Sequence, residues 1–313
     1  MAPEARTRRR TPVLGSLARI LRLTWLEMVK LVGHKLYPCT VGITLALTVG
    51  LAVAGMAFSQ GGATVKFSNY SLWVVSSTYA LRIAIVLLVA QAAMSMSSEA
   101  SARTLNTILV RPMRRIEFIT AKALSLVLAT VIVFLASGVS GFVMGGMVRD
   151  PLARGRTATT SEGEREGEGA GSWPSYGDVV DPLYPDTVIA TRWEVMQSML
   201  TGYGLLLVPA LAAVSVGFAL GTLIDSTGLS IGLSVGVSVT LVVGEFFPVF
   251  ADYLARFGYN HPVPIIATNM LDAGKGSLPV WDDALFGAGV SAIYVVVSLL
   301  VAYLYFWRRD VTL

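Results

Sequence analysis

The sequence predicts an all-α membrane protein: a six-transmembrane-helix bundle, preceded by an N-terminal interfacial amphipathic helix and carrying a charged cytoplasmic helix between two of its spans. Three observations predict it. Of the 313 residues 54% are hydrophobic and only 14% charged, and the mean hydropathy is +0.65, far too apolar for a soluble domain of this length. Six runs, near 39–58, 73–96, 121–147, 198–223, 227–250 and 284–307, each supply the roughly 20 apolar residues that a helix needs to cross about 30 Å of hydrocarbon. They are continuously apolar, without the alternation of barrel strands, so each satisfies its backbone hydrogen bonds as a helix.

The chain then divides into residues 1–38, a cytoplasmic tail with the interfacial helix, and 39–313, the transmembrane domain. The segment before the first span is too long and polar for a secretory signal peptide. Orientation follows from the basic residues. Residues 1–38 carry eight Lys and Arg, 97–122 carry five and the tail after the sixth span carries two, whereas the opposite loops hold eight among 13 acids. Both termini are therefore expected on the cytoplasmic side of an inner (plasma) membrane. The net charge of +4 is accounted for by anchoring at membrane lipids and gives no reason to invoke nucleic acid.

Over 13–36 the apolar positions Leu14, Leu17, Leu21, Trp25, Met28 and Val32 share one helical face, and Ser16, Arg19, Glu27 and Lys30 share the other. An apolar stripe with a Trp opposite a basic face suits a helix lying along the inner leaflet. Between the third and fourth spans, 149–197 is a long outward insertion. Its first half is Gly-rich and acidic, the composition of disorder, while its second half has the aromatic and turn chemistry of a small cap and offers a site for an outward-side partner protein. The outward segment 251–283 is expected to hold short half-embedded helices.

Only Ile224-Asp225-Ser226 joins the fourth and fifth spans, which makes a tight hairpin. Gly217 and Gly221 in the fourth span and Gly228, Gly232 and Gly236 in the fifth recur every fourth residue, as do Gly141 and Gly145 in the third. Such spacing lets helix backbones approach closely, so these glycines are expected to pack within the bundle; a subunit interface or a translocation path is the sharper alternative. Two charges fall inside spans, Arg82 and Glu245, and because an intramembrane charge costs at least about 2.5–3.5 kcal/mol on insertion scales, they are expected to pair or to line a polar cavity.

No catalytic residues emerge. The strings Gly228-Leu229-Ser230-Ile231-Gly232 and Gly232-Leu233-Ser234-Val235-Gly236 match a nucleophile elbow, but they lie inside a helix with no histidine in any span. Gly274-Lys275-Gly276-Ser277 lacks phosphate-loop spacing and falls on the outer side. With one cysteine, Cys39, and two histidines, His34 and His261, on opposite sides, the chain assembles neither a disulfide nor a metal or haem site, and no cofactor is expected in it.

That leaves the stretch from Ser98 to Lys122, between the second and third spans. Over 99–110 Ser101, Leu105, Ile108 and Leu109 share one helical face opposite Arg103, Asn106, Thr107 and Val110, and Pro112 then breaks the helix. Arg111, Arg114 and Arg115 fit headgroup anchoring. The order of residue types resembles the signature of permease subunits of type-2 ATP-binding-cassette (ABC) exporters: an acid, Gly-Thr-Leu, a Leu pair, Pro, a basic residue, and a Lys at the next span. Here Glu99, Thr104, Leu105, Ile108, Leu109, Pro112, Arg115 and Lys122 occupy those places, with Arg103 standing where the family has Gly. The interfacial helix, six spans and short fourth-to-fifth connection are similar too, while the insertion at 149–197 departs from compact members.

The resemblance implies a coupling helix that seats in a groove of a separate cytoplasmic ATPase. Leu105, Ile108 and Leu109 would be apolar anchors there and Glu99, Arg103 and Arg115 would set orientation, with Thr104, Arg111, Pro112, Arg114 and Glu117 completing the contact segment. It further implies two permease copies, two ATPase copies that bind Mg-ATP, and ATP hydrolysis outside this chain, coupled to export or to conformational work. The runner-up is a non-energised membrane scaffold that recruits a partner through its outward segment. A path lined by Ser, Gly and aliphatics suits lipids, drugs or peptides alike, and no dense charged lining singles out an ion.

Overall fold

Apolar residues at helical spacing build α1 (Val13–Gly33), and the chain turns at His34 and Lys35 before α2 (Leu36–Gln60). Pro38 falls in the first turn of α2, where its missing N–H breaks no intrahelical bond. There follow α3 (Asn69–Ser101), α4 (Arg115–Gly146), a small hairpin of β1 (Val179–Val180) and β2 (Val188–Ala190), α5 (Arg192–Leu223), α6 (Thr227–Gly244), α7 (Pro262–Ala273) and α8 (Asp282–Arg308). The structure, a computed structural model, describes residues 13–60, 68–101, 115–147, 176–180, 187–244, 258–277 and 279–308. Helices α2 to α6 and α8 are the six long and apolar enough to span a membrane.

Burial ranks them. In their most apolar windows 67% of α3 and 61% of α5 are buried, against at most 39% in the other four, so α3 and α5 form the middle of the bundle. The glycines of α5 explain how closely these two approach. A Cβ placed on Gly221 would lie 2.2 Å from the Ala93 carbonyl oxygen of α3, and one on Gly217 would lie 2.8 Å from that of Val89. Neither position has room for a side chain.

The glycine row of α6 does something else. Among the described residues, Gly228, Gly232 and Gly236 meet no atom beyond their own helix backbone within 4 Å of where a Cβ would stand, and all three are exposed; the expectation that they pack within the bundle is corrected. At 100° per residue, positions two apart lie on opposite faces, so the row of Ser230, Ser234 and Ser238 turns inward instead and the glycines turn out. Ser230 Oγ lies 3.5 Å from the Ala93 carbonyl, and Ser238 shares a 3.1 Å hydrogen bond with the Tyr259 hydroxyl. A row of threonines does the same for α2: Thr40, Thr44 and Thr48 donate back to their own helix, and Thr48 meets Ser137 of α4 at 3.3 Å.

One end of the bundle carries a cap. Tyr176 is buried there, stacks on Phe142 at 4.9 Å and donates to the Phe142 carbonyl at 2.9 Å, while Tyr70 donates to the carbonyl of Gly177. Gly145 makes room for it, since a Cβ at that position would fall 2.5 Å from the Tyr176 hydroxyl oxygen. The β1–β2 hairpin closes beside Gly276, whose φ of +90° glycine adopts without strain. Thr191 then caps α5 through a reciprocal box with Glu194. The cap expected from the second half of 149–197 and the short helix expected within 251–283, here α7, are both present; the remainder of the insertion lies outside the described residues.

Candidate functional site

At the opposite end of the bundle the polar face of α1 lies against the ends of α3 and α4. Periodicity had set Ser16, Arg19, Glu27 and Lys30 on one face of α1, and that face is turned toward protein instead of water. Ser16 Oγ donates to Glu117 Oε1 at 2.8 Å, and the Arg19 guanidinium lies 3.7 Å from the same oxygen. Glu117 is only 2% exposed, so these partners stabilise a charge that burial would otherwise penalise. The apolar face of α1, with Leu17, Leu21, Trp25 and Val32, is left exposed, as a helix at a lipid boundary requires.

Lys122 is the hub. Its side chain is 4% exposed, and an ammonium has three protons to donate. Its Nζ lies 3.1 Å from Glu27 Oε2, 3.0 Å from Glu99 Oε1 and 2.9 Å from the Ser95 carbonyl oxygen, so all three donors have acceptors on α1 and α3. Lys30 adds a second bridge, 2.7 Å from Glu27 Oε1 and 3.6 Å from Glu99 Oε1. Burial pushes the Glu27 carboxyl up, but Lys122 and Lys30 outweigh it and hold the group below its ordinary value. For Lys30 burial works downward, and Glu27 and Glu99 reverse the sign, leaving the ammonium above its ordinary value.

Three further contacts bind the same ends to the rest of the bundle. Arg115 Nη1 donates to the Trp307 carbonyl of α8 at 3.2 Å, and Ser101 Oγ shares a 3.1 Å hydrogen bond with Thr227 Oγ1 at the start of α6. Thr120 and the Tyr303 hydroxyl meet at 2.6 Å. The last residue of α3 and the first of α4 are thus each tied to a neighbouring span. Between them run residues 102–114.

Residues 23–159 match a family described as ABC-2 family transporter protein. Over that stretch the chain is similar to ABC-2 transporter permeases. No curated protein matches the chain. The matched stretch begins within α1 and runs past α4, so Glu27, Lys30, Glu99, Glu117 and Lys122 all lie inside it. With its six apolar helices the permease is a multi-pass membrane protein.

Of the contact segment expected at the ATPase, Glu99, Arg115 and Glu117 are described, and the two acids are engaged within the permease. Arg103, Thr104, Leu105, Ile108, Leu109, Arg111, Pro112 and Arg114 lie outside the described residues. So does Glu245, the expected partner of Arg82; the Arg82 guanidinium lies 5.6 Å from the centroid of the Tyr79 ring, a cation–π contact. The residues that sequence reasoning passed over are Lys122 as a hub and Gln91 of α3. The i, i+3 spacing of Glu27 and Lys30 was the available signal for the first, while a lone amide in an apolar span gave little for the second.

Proposed function

We propose that this permease is driven by a separate cytoplasmic ABC ATPase, which grips residues 102–114 and transmits ATP binding and hydrolysis through the junction at their two roots. The observation that carries this reading is the Lys122 hub, which joins the end of α3, the start of α4 and the interfacial helix α1. A push on a loop held at both ends this way is delivered to three helices at once. Differential contact energy between two conformations is what any such drive must supply.

On this reading Leu105, Ile108 and Leu109 seat in the ATPase, and Arg103, Arg111, Arg114 and Arg115 orient that contact. Glu99 and Glu117, engaged inside the chain, hold the roots. Two permeases and two ATPases would form the working unit, with Mg-ATP bound by the ATPase subunits, both termini cytoplasmic, and export or mechanical work as the output. Affinity purification with Leu105→Asp and Leu109→Asp tests it: loss of the co-purifying ATPase is expected, and undiminished association would overturn it. If intact permease captures no ATPase at all, the non-energised scaffold takes its place.

A further inference from the structure

Beside the Lys122 hub lies a cavity of about 160 Å³, lined among others by Gln91, Ser95, Ser125, Glu99, Lys30 and His34. Its floor holds an anomaly. Gln91 is 1% exposed, and among the described residues neither its Oε1 nor its Nε2 has a hydrogen-bond partner. A buried primary amide left without partners is unfavourable; in a polar cavity of this size an incoming N–H donor satisfies Oε1, and an acceptor oxygen carried beside it satisfies Nε2.

The lining says what kind of group. Ser95 Oγ donates to the Ala92 carbonyl and Ser125 Oγ to the Lys122 carbonyl, so both hydroxyls offer only lone pairs to the cavity. With Gln91 Oε1 and the carboxylates of Glu27 and Glu99 the interior is rich in acceptors, while the protons of Lys122 are already taken. A ligand with several N–H donors fits. Lys30 and His34 also line the cavity and are exposed, so the Lys30 ammonium, shared with Glu27 and Glu99, stands at its mouth, where α1 turns into the first span. His34 Nδ1 accepts from the Leu36 N–H at 3.5 Å, and the imidazole stands with Lys30 among the groups lining the cavity.

We propose that this cavity binds a primary ammonium carried beside a phosphate, as in the headgroup of phosphatidylethanolamine, with the ammonium at Gln91, Ser95 and Ser125 and the phosphate at Lys30 and His34. The source is a membrane lipid, since the mouth lies at the junction of the interfacial helix and a membrane span. All of its lining residues belong to this chain, so its test is read on the permease alone.

Native mass spectrometry of the full chain, equilibrated with equal amounts of phosphatidylethanolamine, its N-monomethyl and N-dimethyl forms, phosphatidylcholine and phosphatidylglycerol, reads the retained lipid. Retention of the primary amine at least tenfold above phosphatidylcholine is expected, falling with each methyl that removes a donor. Gln91→Leu, close in volume, is expected to bring ethanolamine retention down to the choline level. Equal retention across the series in the unaltered chain would overturn the proposal without recourse to any variant, as would phosphatidylglycerol bound best or ethanolamine retention unchanged in Gln91→Leu. Soluble phosphoethanolamine is expected to leave the retained lipid in place at millimolar concentration; displacement there would overturn the lipid as source.

Discussion

Lys122 of α4 sets its Nζ 3.0 Å from Oε1 of Glu99 in α3, an ion pair that spans the two points between which residues 102–114 leave and rejoin the bundle. It is nearly enclosed, and Glu27 of α1 completes it at 3.1 Å. Removing the cation leaves two largely buried carboxylates with, among the described residues, only the exposed Lys30 to bridge them. Lys122→Met is therefore expected to destabilise the fold by about 3–5 kcal/mol, the cost of breaking a buried ion pair on one side. Thermal unfolding in detergent checks this. A double variant, Lys122→Met with Glu99→Leu, is expected to recover part of the loss, because fewer uncompensated charges remain.

The same junction predicts how stability varies with pH. The Glu27 carboxyl is held below its ordinary 4.5, so the stability it contributes is present above pH 4.5 and is lost as pH falls through its lowered folded-state value. Lys30 is held above its ordinary 10.5, so its contribution is complete below pH 10.5 and is lost as pH rises through its raised value. A plateau between these limits is expected, with a fall at each end. Glu27→Gln is expected to flatten the acid side, measured as unfolding temperature against pH.

Gly221 and Gly232, eleven residues apart, meet different surroundings. Gly221 faces the Ala93 carbonyl with no room for a methyl, so Gly221→Ala is expected to cost about 1–3 kcal/mol as an overpacked contact against backbone. Gly232 has open space around it, and Gly232→Ala is expected to be neutral or to stabilise by up to about 1 kcal/mol through helix propensity. Unfolding temperatures of the two variants, compared side by side, decide whether the α3–α5 contact is as close as described.

Much of the fold was legible because lipid leaves helices few options. Apolar runs longer than a bilayer is thick located all six spans, and Ile224-Asp225-Ser226 falls between α5 and α6 as the shortness of that connection demanded. Facing was harder to read. Periodicity placed Glu27 and Lys30 on one side of α1 but carried no information on what that side would meet, and a polar face is as compatible with buried counter-charges as with water. The glycine and serine rows of α6 show the same limit. Both recur every fourth residue, and only the neighbour α3 decides that the serines turn inward. Lys122 could be noticed as one position of a signature, yet its role depends on Glu27, which is 95 positions away in sequence and 3.1 Å away in space. Gln91 left no periodic trace at all.

The most direct test of the central claim is quantitative mass spectrometry of proteins that co-purify with the full-length permease, compared with the Leu109→Asp variant. An ABC ATPase in near-equal molar amount to the permease, reduced at least tenfold by Leu109→Asp while the variant keeps its unfolding temperature, is the expected result. An ATPase held equally by both chains, or none held by either, would contradict it.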